Sequence, residues 1–352
     1  NPYRIRANTS AVGLSPNSVS RVLSHRVYPI PDSLINSLWD FGQLTQEKEK
    51  AYIRGMLPSE DSLLYDQIYD DLRFINVIVT SQNYIRQIEN ESSVSLRDVE
   101  RFLKLFALCK ELFKERPYDS LIMTTFICYF LRIEKREQRE KLDKLLSESF
   151  PTNLTNTSIA YFSRTFERLS GSMVTEVCQL YQLPEDINMN TPLCENLVAL
   201  LLCIPIRIPV FICGKPGTSK TVAATIAQSL WSLDKNIKAT SKYLRHVDNI
   251  KIFNFWGSNL TTCESIMNVF DKAKKNETEN KRNKSQSVII FDEIGLAEIS
   301  EDNPLKILHF LLEEPDCPGF IGLSNWRLDL SKMNRTLFVS RGDPEHKDLS
   351  AT

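Results

Sequence analysis

Gly214-Lys215-Pro216-Gly217-Thr218-Ser219-Lys220-Thr221 has the residue types and spacing that cradle a polyphosphate. Gly214 and Gly217 let successive backbone N–H groups curl around phosphate oxygens. Lys220 brings a point charge to the β and γ oxygens, and the Thr221 hydroxyl can ligate magnesium. One position departs from the pattern G-x-x-x-x-G-K-[ST]: Ser219 stands where the second glycine is expected. The turn must therefore tolerate a Cβ there or take a different conformation.

A second string supplies carboxylates. Val288-Ile289-Ile290-Phe291-Asp292-Glu293 reads as a buried parallel strand with two acids at its C-terminal edge, where ligands bind in open α/β sheets. Asp292 would hold magnesium through water, and Glu293 would orient or deprotonate an attacking water. The bland alternative is a core strand running into a turn. A third run, Gly319-Phe320-Ile321-Gly322-Leu323-Ser324-Asn325, also reads as a strand ending in polar residues, and the Asn325 amide could help position that water near a γ-phosphate. GTPases need an Asn-Lys-x-Asp guanine reader, and none occurs.

The elements that must hold these groups are legible around them. Ile206–Cys213 reads as the strand before the loop, and the run from Thr221 to Leu230 as a helix whose first N–H groups face an anion. Thr191-Pro192 reads as a cap and first helical position ahead of Leu193, Leu197, Val198 and Leu201. Ile250–Phe255 reads as another strand, and Thr261 or Thr262 as the cap of a helix from Glu264 to about Lys275. The polar stretch 274–284 is expected as a solvated loop. Upstream, Ser95 caps an amphipathic helix through Phe113, and Leu121–Leu131 reads as a buried helix too short to span a bilayer. The mixed charges of 132–137 read as a solvated helix face, and Asp32 or Ser33 as the cap of a helix carrying Leu34, Ile35, Leu38, Trp39 and Phe41. Pro151 and its small polar neighbours make 147–156 a plausible linker.

The ordered trio of P-loop, Asp-Glu strand end and Ser-Asn strand end resembles the AAA+ ATPases, in which the Asn325 position is called sensor 1, and so implies ATP with Mg2+. Longer strings are similar to the mysterin family of AAA+ ubiquitin ligases with a RING finger. They are Gly214–Thr221, Phe291–Glu298, Pro304–His309 with Leu311-Leu312-Glu313, Ser324-Asn325-Trp326, Lys332–Arg335 and Phe338–Gly342. Asn1–Arg4 and Val27–Leu34 resemble the sensor 1 segment and last core strand of a preceding module. The resemblance implies an α/β fold: a P-loop AAA+ core with a parallel sheet flanked by helices, preceded by the helical lid of the previous module. The expected division is 1–150 for that preceding part and 151–352 for the nucleotide-binding core, within a longer polypeptide. It also implies two arginine roles. Arg97 is the candidate sensor 2, serving the preceding module's nucleotide. Arg335 is the candidate finger reaching into a neighbour's site, with Arg341 as second choice; the bland readings are a solvated arginine in a first helical turn for Arg97 and a structural arginine paired with a nearby acid for the finger.

Composition narrows the partners. With 43 basic and 44 acidic residues, the net charge of −1 supplies no cationic field for nucleic acid or an anionic membrane. Eight cysteines never form a C-x-x-C pair, and the four histidines lie near no such pair, so zinc-bearing ligase elements are not expected in this chain. Neighbouring AAA+ modules and, through the parent polypeptide, the ubiquitin machinery are the implied partners, in a reducing, cytoplasmic setting. Two functions stay open: ATP hydrolysis driving movement between modules, and an ATP-binding scaffold without turnover.

Overall fold

The structure is a computed structural model and describes residues 5–6, 22–23, 31–35, 37–39, 45–58, 72–90, 92–114, 116–148, 161–181, 187, 189–280, 285–300 and 303–342. Expectations for 1–4, 27–30, 149–156 and 281–284, and for Phe41, lie outside them. The chain forms two compact units, Asn1–Glu49 and Lys50–Thr352.

In the first unit, β1 (Ile5–Arg6) pairs antiparallel with β2 (Val22–Leu23). The expected apolar helix is a single turn, α1 (Asp32–Ile35). Leu38 and Trp39 lie beyond it and are exposed, as is Leu34. One turn fixes several dihedrals for little hydrogen bonding, so spacing alone does not carry the helix onward.

The second unit begins within α2 (Gln46–Met56) and continues as a helical layer of α3 (Leu72–Ile88), α4 (Leu96–Leu112), α5 (Pro117–Thr125), α6 (Arg136–Ser147) and α7 (Tyr161–Leu180). Ser95 caps α4 as its sequence indicates: the Asp98 carboxylate reaches back to accept from the Ser95 N–H at 2.7 Å. The apolar run after α5 is buried, but Phe126–Phe130 winds as a π-helical turn. Its rings pack on α7, Phe126 over Phe166 at 3.8 Å and Phe130 over Phe162 at 6.1 Å. The expected solvated face at 132–137 is half right. Glu134–Glu137 are exposed, whereas Arg132 is buried because Glu89 neutralises it at 2.9 Å.

The α/β core follows. It comprises α8 (Thr191–Cys203), β3 (Val210–Cys213), α9 (Lys220–Trp231), α10 (Lys235–Thr240), β4 (Asn249–Trp256), α11 (Cys263–Glu279), β5 (Ser285–Asp292) and α12 (Ile294–Glu298). A 3₁₀ turn (Pro304–Ile307), α13 (Leu308–Leu311), β6 (Gly319–Ser324), α14 (Leu330–Met333) and β7 (Leu337–Ser340) complete it. The sheet is parallel throughout, in the order β4-β5-β6-β3-β7. Alternation along β3 divides the core. Val210 and Ile212 join α8, α9 and the helical layer on one face, while Phe211 and Cys213 join α11, α12 and α13 on the other. Each such fully buried side chain contributes about 1.5–3 kcal/mol.

Three boundaries differ from expectation. The strand before the loop starts at Val210, because Ile204–Arg207 turn back, with Arg207 at φ 57° and bonded to the Cys317 carbonyl and the Glu277 carboxylate. The cap of α8 is Asn190, whose side chain accepts from the Leu193 N–H at 2.9 Å. The polar stretch after Lys274 stays helical to Glu279, held by Lys274 to Glu314 and by Asn276 to the Ser287 hydroxyl.

Candidate functional site

Register brings the three motifs to one sheet edge. Cys213 stands opposite both Ser324 and Ser340, and Phe291 stands opposite Gly322. Thus the loop after β3, the acids ending β5 and the amide after β6 share the C-terminal edge, where the strand order lets helices diverge. There Gly217, Thr218, Ser219, Lys220, Thr221, Asp292, Glu293, Ser324 and Asn325 line a cavity of about 320 Å³, with Pro216, Val222 and Leu323. A hollow of about 370 Å³ at the opposite edge is larger, but its cations are engaged, Arg207 with Glu277 and Lys274 with Glu314 and Asp316.

The loop accommodates Ser219 by holding it, Cβ included, in the left-handed region that glycine favours. Ser219 takes φ 56°, ψ 24° and Gly217 takes φ 85°, so two left-handed residues curve the chain into a concave nest. Gly214 is glycine for space: a Cβ there would sit 2.6 Å from the Arg341 Cβ and 2.8 Å from the Thr218 hydroxyl. Lys215, Pro216 and Gly217 are exposed at the rim, and Thr221 is exposed in the first turn of α9. Lys220 is buried and folds over the loop, donating to the carbonyls of Gly214 at 2.6 Å and Lys215 at 2.9 Å. Burial lowers its pKa, against the pull of Cys213, Glu293 and Asp292. An ammonium held on neutral carbonyls in this way is available to an anionic ligand, which offers stronger charge-assisted bonds.

Across the cavity, Asp292 ends β5 and its carboxylate accepts from the Glu293 N–H at 2.8 Å. Glu293 is also left-handed, φ 50°, which turns the chain sharply into α12. Asn325 donates its amide to both Glu293 carboxylate oxygens, each at 3.0 Å. The donor set fits a metal-nucleotide: a hydroxyl and a carboxylate for magnesium, an ammonium and a nest for phosphate, and an oriented carboxylate for water.

The two remaining candidates are elsewhere, and together. Arg97, in the first turn of α4, pairs with Glu313 at 2.9 Å, and Arg335, just before β7, pairs with the same Glu313 at 3.2 Å. Arg335 also donates to the Ser331 and His309 carbonyls. Neither lines the P-loop cavity. Arg341 is not a surface arginine: it is buried beneath the P-loop, bonded to Glu195 and, at 2.7 Å, to Asn196. Glu195 and Asn196 escaped the sequence reading, although a polar pair inside the apolar run of α8 is the signal that could have found them.

Burial raises the thiol pKa values, Cys109 and Cys213 to about 12 and Cys178 and Cys194 to about 11, so these cysteines are poor nucleophiles. Among the described residues no cluster of three or more His, Cys, Asp or Glu could hold a metal ion, and no helix is long and apolar enough to cross a membrane.

Residues 186–348 match the RNF213 AAA domain family, and residues 19–153 match the midasin AAA lid domain family. The chain is similar to E3 ubiquitin-protein ligase RNF213 of Homo sapiens and of Mus musculus, each at 33% identity. It is also similar to E3 ubiquitin-protein ligase rnf213-beta of Danio rerio, at 32%. Each alignment covers 99% of this chain and 7% of the relative, so the chain spans a small part of the length of these proteins.

Proposed function

The chain belongs to the RNF213 AAA family, with a midasin-type AAA lid sequence ahead of the core, and from that premise we propose that it binds and hydrolyses ATP as one AAA+ motor module of a larger ubiquitin ligase. The observation that carries the reading is the Asn325 amide on both oxygens of Glu293, in the cavity that the P-loop lysine also lines. A neutral amide on both oxygens fixes the orientation of the carboxylate, as a general base requires.

The residues divide the work as follows. The nest at 217–219 and Lys220 bind the β- and γ-phosphates. Thr221 and Asp292 would hold magnesium, which when bound offsets charge developing on the phosphates. Glu293 accepts a proton from water as its oxygen attacks the γ-phosphorus and the bond to the β,γ-bridging oxygen breaks, giving ADP and phosphate. Asn325 fixes the Glu293 carboxylate and orients that water. The parent polypeptide would be an E3 ubiquitin-protein transferase, on the strength of what its relatives are named, and would work in the cytoplasm with neighbouring AAA+ modules.

The shared Glu313 gives Arg97 and Arg335 a common role in the same scheme. Residues 1–150 are proposed as the end and lid of a preceding module, and 151–352 as the core of the next. A sensor 2 arginine from the first and a finger from the second would then meet at the preceding module's γ-phosphate, for which the Glu313 carboxylate stands in. Lys220→Ala and Glu293→Gln beside the parent chain test the main reading by ATP binding and turnover. Turnover lost in both, with tight ATP retention only in Glu293→Gln, supports a hydrolytic module. Binding without turnover in the parent favours the scaffold.

A further inference from the structure

The P-loop is tied to the helical layer by a buried polar relay. The Asn196 amide donates to the Thr218 carbonyl at 3.1 Å, and its oxygen accepts from the Arg341 Nε at 2.7 Å. Arg341 Nη1 pairs with Glu195, whose two carboxylate oxygens also accept from Arg139 Nη1 on α6 at 3.2 and 3.3 Å. Arg139 is itself fixed by the Ile133 carbonyl at 2.7 Å. Asn196, Thr218, Glu195 and Arg341 are all buried, so water does not compete for these bonds.

The geometry bears directly on the nest. In a trans peptide the C=O and the following N–H point in opposite directions. Drawing the Thr218 carbonyl inward to Asn196 therefore turns the Ser219 N–H away from the core, on the residue that lines the cavity. Arg341 adds a second anchor, since its own N–H bonds to the Cys213 carbonyl at 2.7 Å, one residue before the loop.

We propose that Asn196 and Arg341 are positioning residues of the phosphate nest, set from the helical layer through Glu195 and Arg139, so that the lid-type helices upstream tune nucleotide affinity in the core downstream. This rests on the ATP reading for its consequence, although the coupling itself does not need a nucleotide. The relay touches neither Glu293 nor Asn325, so it acts on binding rather than on the chemical step.

The test uses the parent chain, Arg139→Gln, Asn196→Leu, the double variant, and Arg136→Gln as a control on the exposed side of the same helix. Two quantities are read: hydrogen exchange of amides 217–221 without nucleotide, and KM and kcat for ATP. Arg139→Gln is expected to speed exchange at 217–221 at least fivefold and raise KM about tenfold, the scale for stranding a buried polar group, with kcat within twofold. The double variant should add little to Asn196→Leu, because both cut one chain. Exchange that rises only around α6, or effects that add in full, overturn the relay. Arg139→Lys, which keeps the charge on Glu195, should recover part of the affinity; loss equal to Arg139→Gln would also count against it. A parent that binds no ATP, with the exchange coupling intact, sinks the nucleotide reading and supports the relay.

Discussion

Asn325 donates to both carboxylate oxygens of Glu293, each at 3.0 Å, from a strand end one position over in the sheet. A neutral donor on both oxygens holds the carboxylate in one orientation. On the proposed function the pair is a base and its positioner, and each should leave a distinct kinetic mark.

Glu293→Gln is expected to lower kcat for ATP by roughly 10²–10⁴ while ATP stays bound, since a general base acts only in the transition state. Asn325→Ala should lower kcat less, leaving Glu293 present but mobile. Single-turnover kinetics separate the two, and equal loss of ATP affinity in both would remove them from the chemical step.

The left-handed Ser219 sets up a backbone prediction. A non-glycine residue in that region costs about 1–2 kcal/mol, so Ser219→Gly should be tolerated, with thermal stability within about 1 kcal/mol of the parent. Ser219→Val puts a β-branched side chain where it does not fit, and is expected to lose both stability and ATP binding. Calorimetric melting curves with and without ATP would show it.

Gly214 tests crowding rather than dihedral freedom. A Cβ there meets Arg341 and Thr218 at under 3 Å, both belonging to the structure that shapes the loop. Gly214→Ala is expected to destabilise by about 1–3 kcal/mol, the usual cost of overpacking, measured by urea denaturation. An unchanged midpoint would mean that the chain just after β7 yields at Arg341.

Glu195 predicts acid sensitivity. Burial alone would raise its pKa, but the Arg341 and Arg139 guanidiniums outweigh that and hold the carboxyl below its usual value. A lowered folded-state pKa contributes stability that is present above the unfolded value, about 4.3, and is lost as pH falls through the folded one. The parent should therefore lose stability below about pH 4 more steeply than Glu195→Gln, whose baseline stability is lower by about 3–5 kcal/mol for breaking a buried pair. Parallel acid slopes in the two proteins would rule this out.

The residues that line the candidate site were local enough to read. The octet at 214–221 needs only a strand before it and a helix after it, and β5 and β6 announce themselves as apolar β-branched runs ending in Asp292-Glu293 and Ser324-Asn325. Hydrophobic periodicity and cap residues such as Ser95 depend on neighbours within a few positions, so sequence alone determined them, and for α11 it narrowed the cap to Thr261 or Thr262. What it could not determine were pairings between different elements of the fold. Arg132 reads as one of a run of solvated charges until Glu89 neutralises it in the core. Arg341 reads as the second choice for a finger until folding sets it against Glu195 and Asn196 beneath the loop. Arg97 and Arg335 carry no sign of one another until both reach Glu313. A buried charge takes its meaning from the partner that offsets its desolvation, and only the tertiary structure decides which partner that is.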